Sequence, residues 1–297
     1  MSVKAAIRPR RLRAKGHEVR LSRSRGGTIA IFLFLVLICC FMALPVIYAI
    51  LQSIKPIEEY YIFPPRFFVQ NPTLQNYRDI LTLADNLWVP FSRYVFNTLF
   101  VSVAGTAVYV VISLMAGYAL AKSKIRAMGV ISNIIVWGLL FTDAAVVAVQ
   151  YLIVVKLGIY NTYLALILPA LSNTMGVFLM QQFIQTNISD SILEAARIDG
   201  AGEFTILFRV VAPSVKAGWI TVLIFQFQSF WNNNLQNMSY SEELKQLSAV
   251  LQNISVGNIA RAGSGSAVVV LMMIPMLVIF IWSQRSIMDT MAHSGLK

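Results

Sequence analysis

The chain has 297 residues, of which 57% are hydrophobic and 12% charged, and its mean hydropathy is +0.68. Soluble domains carry about a quarter charged residues, so this composition excludes an ordinary water-soluble protein and predicts an all-α polytopic membrane protein. The net charge of +11 does not indicate nucleic-acid binding, because much of the excess lies in residues 1–27, where nine basic residues occur without any aromatic residue. We predict that these residues form a basic cytoplasmic tail beside membrane lipid.

Six apolar runs are long enough to cross about 30 Å of hydrocarbon, which requires about 20 helical residues. The predicted spans, all within one membrane domain of residues 28–297, are residues 28–51, 92–121, 129–155, 161–183, 214–236 and 265–284. The first run follows a basic region, as the core of a signal peptide does. Its apolar segment is too long for a signal peptide, so we expect it to be retained as a helix.

The distribution of lysine and arginine predicts the orientation of these spans, because basic residues beside membrane helices stay in the cytoplasm. With the N-terminus inside, 17 of the 24 basic residues lie on the cytoplasmic side. Six spans then place both termini and the loop of residues 187–213 in the cytoplasm. Residues 56–90 and 237–263 are predicted to lie outside, where they can receive a protein partner.

The cytoplasmic loop is predicted to begin with a short helix. Ser191 and Glu194 have the spacing of a capping box, in which the Glu194 side chain accepts a hydrogen bond from the Ser191 amide. A helix of about nine residues then ends at Gly200, because glycine accommodates a left-handed turn. Capping alone would explain Glu194, and docking to a partner protein is the alternative role.

A second helical segment, residues 203–212, completes the loop. It carries apolar side chains along one face, namely Phe204, Leu207, Phe208 and Val211. Pro213 is expected to begin or kink the segment that leads into the fifth span. The loop is therefore predicted to be a short helix, a glycine turn and an inclined helix.

The loop resembles the EAA loop of ABC-importer permeases, in which a Glu-Ala-Ala triplet is followed at fixed spacing by glycine and proline. Here the matching residues are Glu194-Ala195-Ala196, Asp199-Gly200-Ala201 and Pro213. Two further segments, Pro72-Thr73-Leu74-Gln75-Asn76-Tyr77 and Leu157-Gly158-Ile159-Tyr160-Asn161-Thr162, resemble the sugar-importer members of that family. The set as a whole is similar to the maltose-type carbohydrate permeases over residues 28–297.

This resemblance implies a type I ABC-importer permease fold, with six helices and a cytoplasmic coupling helix in the bacterial cytoplasmic membrane. It also implies a heterodimer with a second homologous permease, two ATPase subunits, an external or periplasmic solute-binding protein and a sugar substrate, expected to be an oligosaccharide. The residues that it assigns to coupling with the ATPase are Glu194, Ala195, Ala196, Asp199, Gly200, Ala201 and Pro213. On this interpretation the chain is a transport subunit and not an enzyme.

No cofactor is expected in this chain. It lacks the Gly-x-x-x-x-Gly-Lys-Ser/Thr sequence of a phosphate-binding loop, so ATP and Mg²⁺ are expected to bind the partner ATPase. Its two histidines, His17 and His293, lie far apart in the tails and predict no metal site.

Polar residues within the predicted spans are candidates for a substrate path, because polar groups in lipid usually face a cavity or the bundle interior. Asp143 and Gln150 lie two helical turns apart in the third span, and Gln226 and Gln228 lie in the fifth. An incorrect span boundary is the alternative for Asp143, and hydrogen bonding between helices is the alternative for the glutamines. The competing functions are an ion-coupled secondary transporter of a polar solute and an integral-membrane enzyme.

Overall fold

The computed structural model describes residues 25–85, 89–141, 143–232, 238–255 and 262–294. Within these ranges the chain is helical and contains no β-strand. Most of the predicted basic tail, residues 1–24, lies outside the described residues.

The α-helices follow one another through short connections. In chain order they are α1 (Arg25–Ser53), α2 (Gln75–Asp85), α3 (Phe91–Lys122), α4 (Arg126–Gly138), α5 (Asp143–Lys156), α6 (Tyr163–Ile167), α7 (Met175–Asn187), α8 (Asp190–Ile198), α9 (Glu203–Ile206), α10 (Ala212–Ser214), α11 (Lys216–Asn232), α12 (Leu247–Ser255) and α13 (Ala262–Ser294). Three short 3₁₀ helices lie between them, at Ile57–Tyr60, Pro169–Ser172 and Glu242–Leu244, and a π-helix occupies Leu207–Val211.

Three of these helices are long and apolar enough to cross a membrane: Gly26–Ser53, Phe91–Lys122 and Ala262–Gln284. They contain the first, second and sixth predicted spans. The chain divides into two units between Ile47 and Tyr48. In the first unit the apolar side chains of α1 are largely exposed, as expected for a helix whose solvent is lipid.

The remaining predicted spans are interrupted. The fourth consists of Tyr163–Ser172 and Met175–Asn187, bent by 49°, and the fifth follows an 84° bend between Glu203–Ser214 and Lys216–Asn232. The third is divided into α4 and α5, and each of these has fewer residues than a crossing needs. Length and composition therefore give three spans, or five if each bent pair counts as one, and do not confirm six.

The core of the second unit is built around α3, which packs against α7 and α11. Close approach depends on glycine at three contacts. A Cβ atom added at Gly105 would meet the Phe230 ring, one at Gly117 would meet Met180, and one at Gly176 would meet the Tyr109 ring. Small residues allow membrane helices to approach closely.

The predicted external segments contain helices that the hydropathy pattern does not reveal. Both α2 and α12 pack on α13. Their buried residues form a cluster with α3 and α13 that contains Ile80, Tyr94, Leu247, Val250, Leu251, Ala267 and Val268. These segments are therefore folded structure and not open loops.

Candidate functional site

The predicted short helix of the cytoplasmic loop is α8, which has nine residues as expected. It begins at Asp190, with Ser189 at the N-cap and no side chain capping it. The predicted capping box is therefore wrong, because Ser191 lies inside the first turn and Glu194 is too far along the helix to reach the N-cap amide. An acidic residue in the first turn, here Asp190, stabilises the helix dipole instead.

The glycine turn after α8 is confirmed. Gly200 has φ of 82°, a left-handed conformation that favours glycine. Its amide donates to the Arg197 carbonyl at 3.0 Å, and the Ala201 amide donates to the Ala196 carbonyl at 3.0 Å. This pair of hydrogen bonds is a Schellman motif, which satisfies the last carbonyls of the helix.

The two faces of α8 differ in burial. Leu193 is only 2% exposed and belongs to the main apolar cluster, against which Ala196 is half-buried. On the other face Glu194 and Ala195 are exposed, and Ile198 is 86% exposed. The Glu-Ala-Ala triplet therefore divides between the two faces. Asp199 and Gly200 continue the exposed face at the end of the helix.

The start of α8 is held by the last residue of α3. The Lys122 ammonium donates to Asp190 Oδ1 at 2.7 Å and to the Ile188 carbonyl at 2.7 Å. The hydrogen bond and charge of Lys122 hold the pKa of the Asp190 carboxyl below its usual value. Lys122 itself is mostly buried, whereas Asp190 is exposed.

The end of α8 is held by the same helix through a second set of contacts. The Arg197 guanidinium donates to Glu203 Oε1 at 2.8 Å, and the Tyr118 hydroxyl donates to Glu203 Oε2 at 2.6 Å. These two donors, Arg197 first, lower the pKa of Glu203, and the carboxylate in turn raises the pKa of Arg197. Both ends of α8 are thus joined to the C-terminal end of α3.

The inclined segment after the glycine turn departs from the predicted single face. Leu207 and Val211 are buried, but Phe204 is 68% exposed and Phe208 is also exposed. The reason is the π-helix from Leu207 to Val211, which widens the turn and changes which residues share a face. Pro213 is exposed within α10, immediately before the 84° bend into α11.

A cavity of about 630 Å³ lies between α4, α5, the 3₁₀ helix Pro169–Ser172, α7 and α11. Its wall contains both polar and apolar side chains, which suits a polar solute that also has apolar faces. The polar lining residues are Gln150, Ser172, Asn173, Thr174, Ser229 and Asn232, and the aromatic ones are Phe141 and Phe225.

The four predicted path residues occupy different positions relative to this cavity. Gln150 lines it and donates to the Pro169 carbonyl at 3.2 Å and to Ser172 Oγ at 3.1 Å. Gln226 is buried behind the wall, donating to the Ala170 carbonyl at 3.0 Å. Gln228 is exposed and is not a lining residue.

Asp143 is the first residue of α5, after the break that follows α4. The expectation that it lies well inside a continuous helix is therefore not met. Its side chain lies outside the described part of the structure, so its role in a path stays a prediction.

Comparison with known proteins identifies the family. No protein-family model matches the chain. The inner membrane ABC transporter permease protein YcjP of Escherichia coli strain K12 is 31% identical over 209 residues, which are 70% of this chain and 71% of YcjP. The chain belongs to the ABC transporter permeases.

Two more similarities extend over most of this permease. The polygalacturonan/rhamnogalacturonan transport system permease protein YtcP of Bacillus subtilis strain 168 is 28% identical over 284 residues, 89% of this chain and 95% of YtcP. A bacterial ABC transporter involved in the import of the acidic polysaccharide alginate gives a TM-score of 0.72 at 23% identity, over 89% of this chain and 98% of the matched chain. The latter likeness shows that the ABC permease fold is shared.

ABC transporter permeases are transport subunits and not enzymes, as predicted from the sequence. The residues of this permease that sequence reasoning missed are those that hold the loop and line the cavity. Tyr109 and Tyr118 lie in a predicted span, where only apolar character was assessed, and Lys122 directly follows that span. A polar or basic residue at the cytoplasmic end of a span was the available signal for Tyr118 and Lys122.

Proposed function

We propose that the chain is the membrane-spanning permease subunit of an ATP-driven, binding-protein-dependent importer of a sugar, expected to be an oligosaccharide. Membership of the ABC transporter permeases supports ATP-driven transport over the ion-coupled alternative. The carbohydrate class is supported by the relative YtcP, which is named for polygalacturonan/rhamnogalacturonan transport.

In this proposal the chain crosses the membrane six times, with α4 and α5 together forming the third crossing. Both termini and α8 then lie in the cytoplasm, as the distribution of basic residues predicts. The external helices α2 and α12 lie on the side where the solute-binding protein arrives. A second, homologous permease completes the membrane part.

The exposed face of α8 is the proposed docking surface for the ATPase. Its outward residues, Glu194, Ala195 and Ile198, combine a charge, a small side chain and an apolar side chain on a rigid helix. Ala201 and Pro213 belong to the same proposed coupling loop, as does the turn at Asp199-Gly200. Movement of the docked helix then changes which side of the membrane the cavity faces.

The cavity is the proposed sugar passage. Amide and hydroxyl groups, with Gln150 and Ser229 on opposing helices, can bond sugar hydroxyls, and the Phe225 ring can contact an apolar sugar face. A role of Asp143 in this passage is part of the proposal on sequence grounds alone. Gln226 supports the wall from behind, and Gln228 is proposed to contact the partner permease.

Purification of the complex tests the docking surface. A tagged chain expressed in its host should retain the ATPase, and Glu194→Arg should reduce the amount retained by at least about tenfold, because the charge lies on the docking face. Glu58→Arg, an equal charge change at an exposed residue of the predicted external side, should retain the wild-type amount. Equal retention by both variants would contradict the proposed docking surface.

A further inference from the structure

The connections of α8 to its own chain neighbours are bent. On its N-terminal side, Ile188 and Ser189 are in extended conformations between α7 and α8. On its C-terminal side lie the glycine turn and the 84° bend before α11. A helix joined at both ends by bends can change its angle without moving the helices that follow. The covalent connections alone therefore transmit the motion of α8 poorly.

Besides the apolar packing of Leu193, the polar contacts of α8 lead to one long helix, α3. Lys122 binds the first residue of α8, Asp190, at 2.7 Å. Tyr118 reaches the last turn of α8 through Glu203, which also accepts from Arg197. Since both ends of α8 are joined to adjacent turns of α3, tilting of α8 moves the end of α3.

The same helix contacts the wall of the cavity. The Tyr109 hydroxyl donates to the Asn173 carbonyl at 2.7 Å and accepts from the Gly176 amide at 3.0 Å. Asn173 lines the cavity, and Gly176 lies in the first turn of α7. Tyr109 is buried, and its ring packs directly on Gly176. Tyr109 and Tyr118 are nine residues apart, a rise of about 14 Å along the helix.

We infer that α3 carries the motion of α8 to the cavity, with Tyr118 and Lys122 as positioning residues at the cytoplasmic end and Tyr109 as the positioning residue at the cavity. This inference rests on the proposed function, since it requires an ATPase that moves α8. A helix packed closely through Gly105 and Gly117 moves as a rigid body, so displacement at one end reaches the other.

The experiment uses the complex purified from its host through a tag on the full chain. Ser229→Cys, in a background of Cys39→Ser and Cys40→Ser, places one reactive thiol in the cavity wall. The rate of labelling by a charged maleimide is measured without nucleotide and with ATP plus vanadate. The ratio of the two rates reports how strongly the nucleotide state controls the cavity. ATP hydrolysis is measured on the same samples.

For the complex with both tyrosines intact, we expect the two labelling rates to differ by about tenfold, within the usual range of coupling between sites. Tyr118→Phe and Tyr109→Phe each remove one hydroxyl and leave the ring in place, and each should reduce the ratio to about threefold or less while ATP hydrolysis continues. In the double variant the ratio should be no lower than in the more impaired single variant, because both residues act along one route. Tyr151→Phe is the matched control and should retain the full ratio, since Tyr151 lines no part of the cavity.

Other results would overturn the inference. Single variants with the full ratio, or a double variant whose loss multiplies the two single losses, would show that coupling bypasses α3. Failure of the proposed function is distinguishable, because the unmodified complex would then hydrolyse no ATP or give a ratio of one. If Tyr109→Phe does not assemble, exchange of the charges in Lys122→Asp with Asp190→Lys supplies a second test. Each single charge variant should lower the ratio, and the pair should restore it.

Discussion

The N-terminal end of α3, proposed to be external, and its C-terminal end, proposed to be cytoplasmic, hold their neighbouring loops by different means. At the external end, Asn97 donates to the carbonyls of Glu243 and Lys245 at 2.7 and 3.0 Å, and Thr98 Oγ1 accepts from the Leu247 amide at 2.7 Å. Asn97 and Thr98 are buried. These are neutral, buried side chains bonded to backbone atoms of the neighbouring loop.

At the cytoplasmic end, the partners are charged side chains near solvent. Asp190 and Glu203 are exposed, and their ion pairs with Lys122 and Arg197 join side chain to side chain. Exposed ion pairs contribute little to stability and are screened by salt, whereas a buried polar group that loses its partner is costly. The external end is therefore built as a fixed attachment, and the cytoplasmic end as one that can change with its partner.

The strongest test of this comparison is removal of the external attachment. Asn97→Ala would leave the Lys245 carbonyl without its donor and the Tyr163 hydroxyl without its acceptor, and the Glu243 carbonyl would keep only the 3.5 Å contact from Arg93 Nε. We expect the free energy of unfolding to fall by about 3 kcal/mol, since each buried group left unpaired costs about 1 kcal/mol or more. The measurement is SDS-induced unfolding in mixed micelles.

The control for that variant is Asn187→Ala, at an exposed residue whose amide bonds only within its own helix, to the Phe183 carbonyl. It should unfold within about 0.5 kcal/mol of the unmodified chain. An equal loss in both variants would mean that burial does not distinguish the external attachment.

A smaller effect is expected from the backbone of the cytoplasmic loop. Gly200→Ala places a Cβ atom at φ of 82°, which costs about 1 kcal/mol although the surrounding space is open. Gly202→Ala is matched, because its space is equally open and its φ is −71°. Only the first variant should lower the SDS concentration at which the chain unfolds. If both variants unfolded at the same SDS concentration, the turn at Gly200, like the ion pairs around it, would contribute little to stability.

Much of the fold is predictable because hydropathy reports directly on lipid. The uninterrupted apolar parts of α1, α3 and α13 were found within a few residues. The break between α4 and α5 was not predicted, because the intervening residues remain apolar and hydropathy does not distinguish a straight helix from a broken one. The helices α2 and α12 were missed for a related reason, since both are amphipathic and too short to cross.

The loop shows the same limit at the level of single residues. The length of α8 and the turn at Gly200 follow from local chemistry, and both were predicted. The faces of Phe204 and Phe208 depend on a π-helix, which the sequence pattern does not signal. The contacts of Lys122 and Tyr118 join residues 66 or more positions apart, so no local pattern can reveal them. Of the predicted path residues whose side chains the structure describes, only Gln150 lines the cavity.

Salt provides a sharper test of the cytoplasmic attachment than stability does. Lys122→Met removes the ion pair with Asp190, and we expect faster motion of a nitroxide at Ile198→Cys, measured by EPR in 0.1 M salt. In 1 M salt the difference from the unmodified chain should shrink, because the screening length falls from about 10 Å to about 3 Å. Lys216→Met, at an exposed lysine of α11, should leave the spectrum unchanged at either concentration. A salt-independent difference would indicate packing by the lysine stem.

Low pH should break the same loop contacts. Near the pH of a cell this is the smallest of the expected effects. The pKa of Glu203 and that of Asp190 are lowered by their basic partners, so the loop contacts are fully present above the ordinary carboxyl pKa. They are lost as the pH falls through the lowered values, below about 4. The nitroxide at position 198 should therefore keep one mobility from pH 8 to about 5 and become more mobile below about 4. Glu203→Gln should lessen that acid step, because one of the two titrating carboxyls is gone. A nitroxide at position 63, on the predicted external side and distant in sequence from both ion pairs, should show no change of mobility with pH. A change near neutral pH at position 198 would mean that other titrating groups hold the loop.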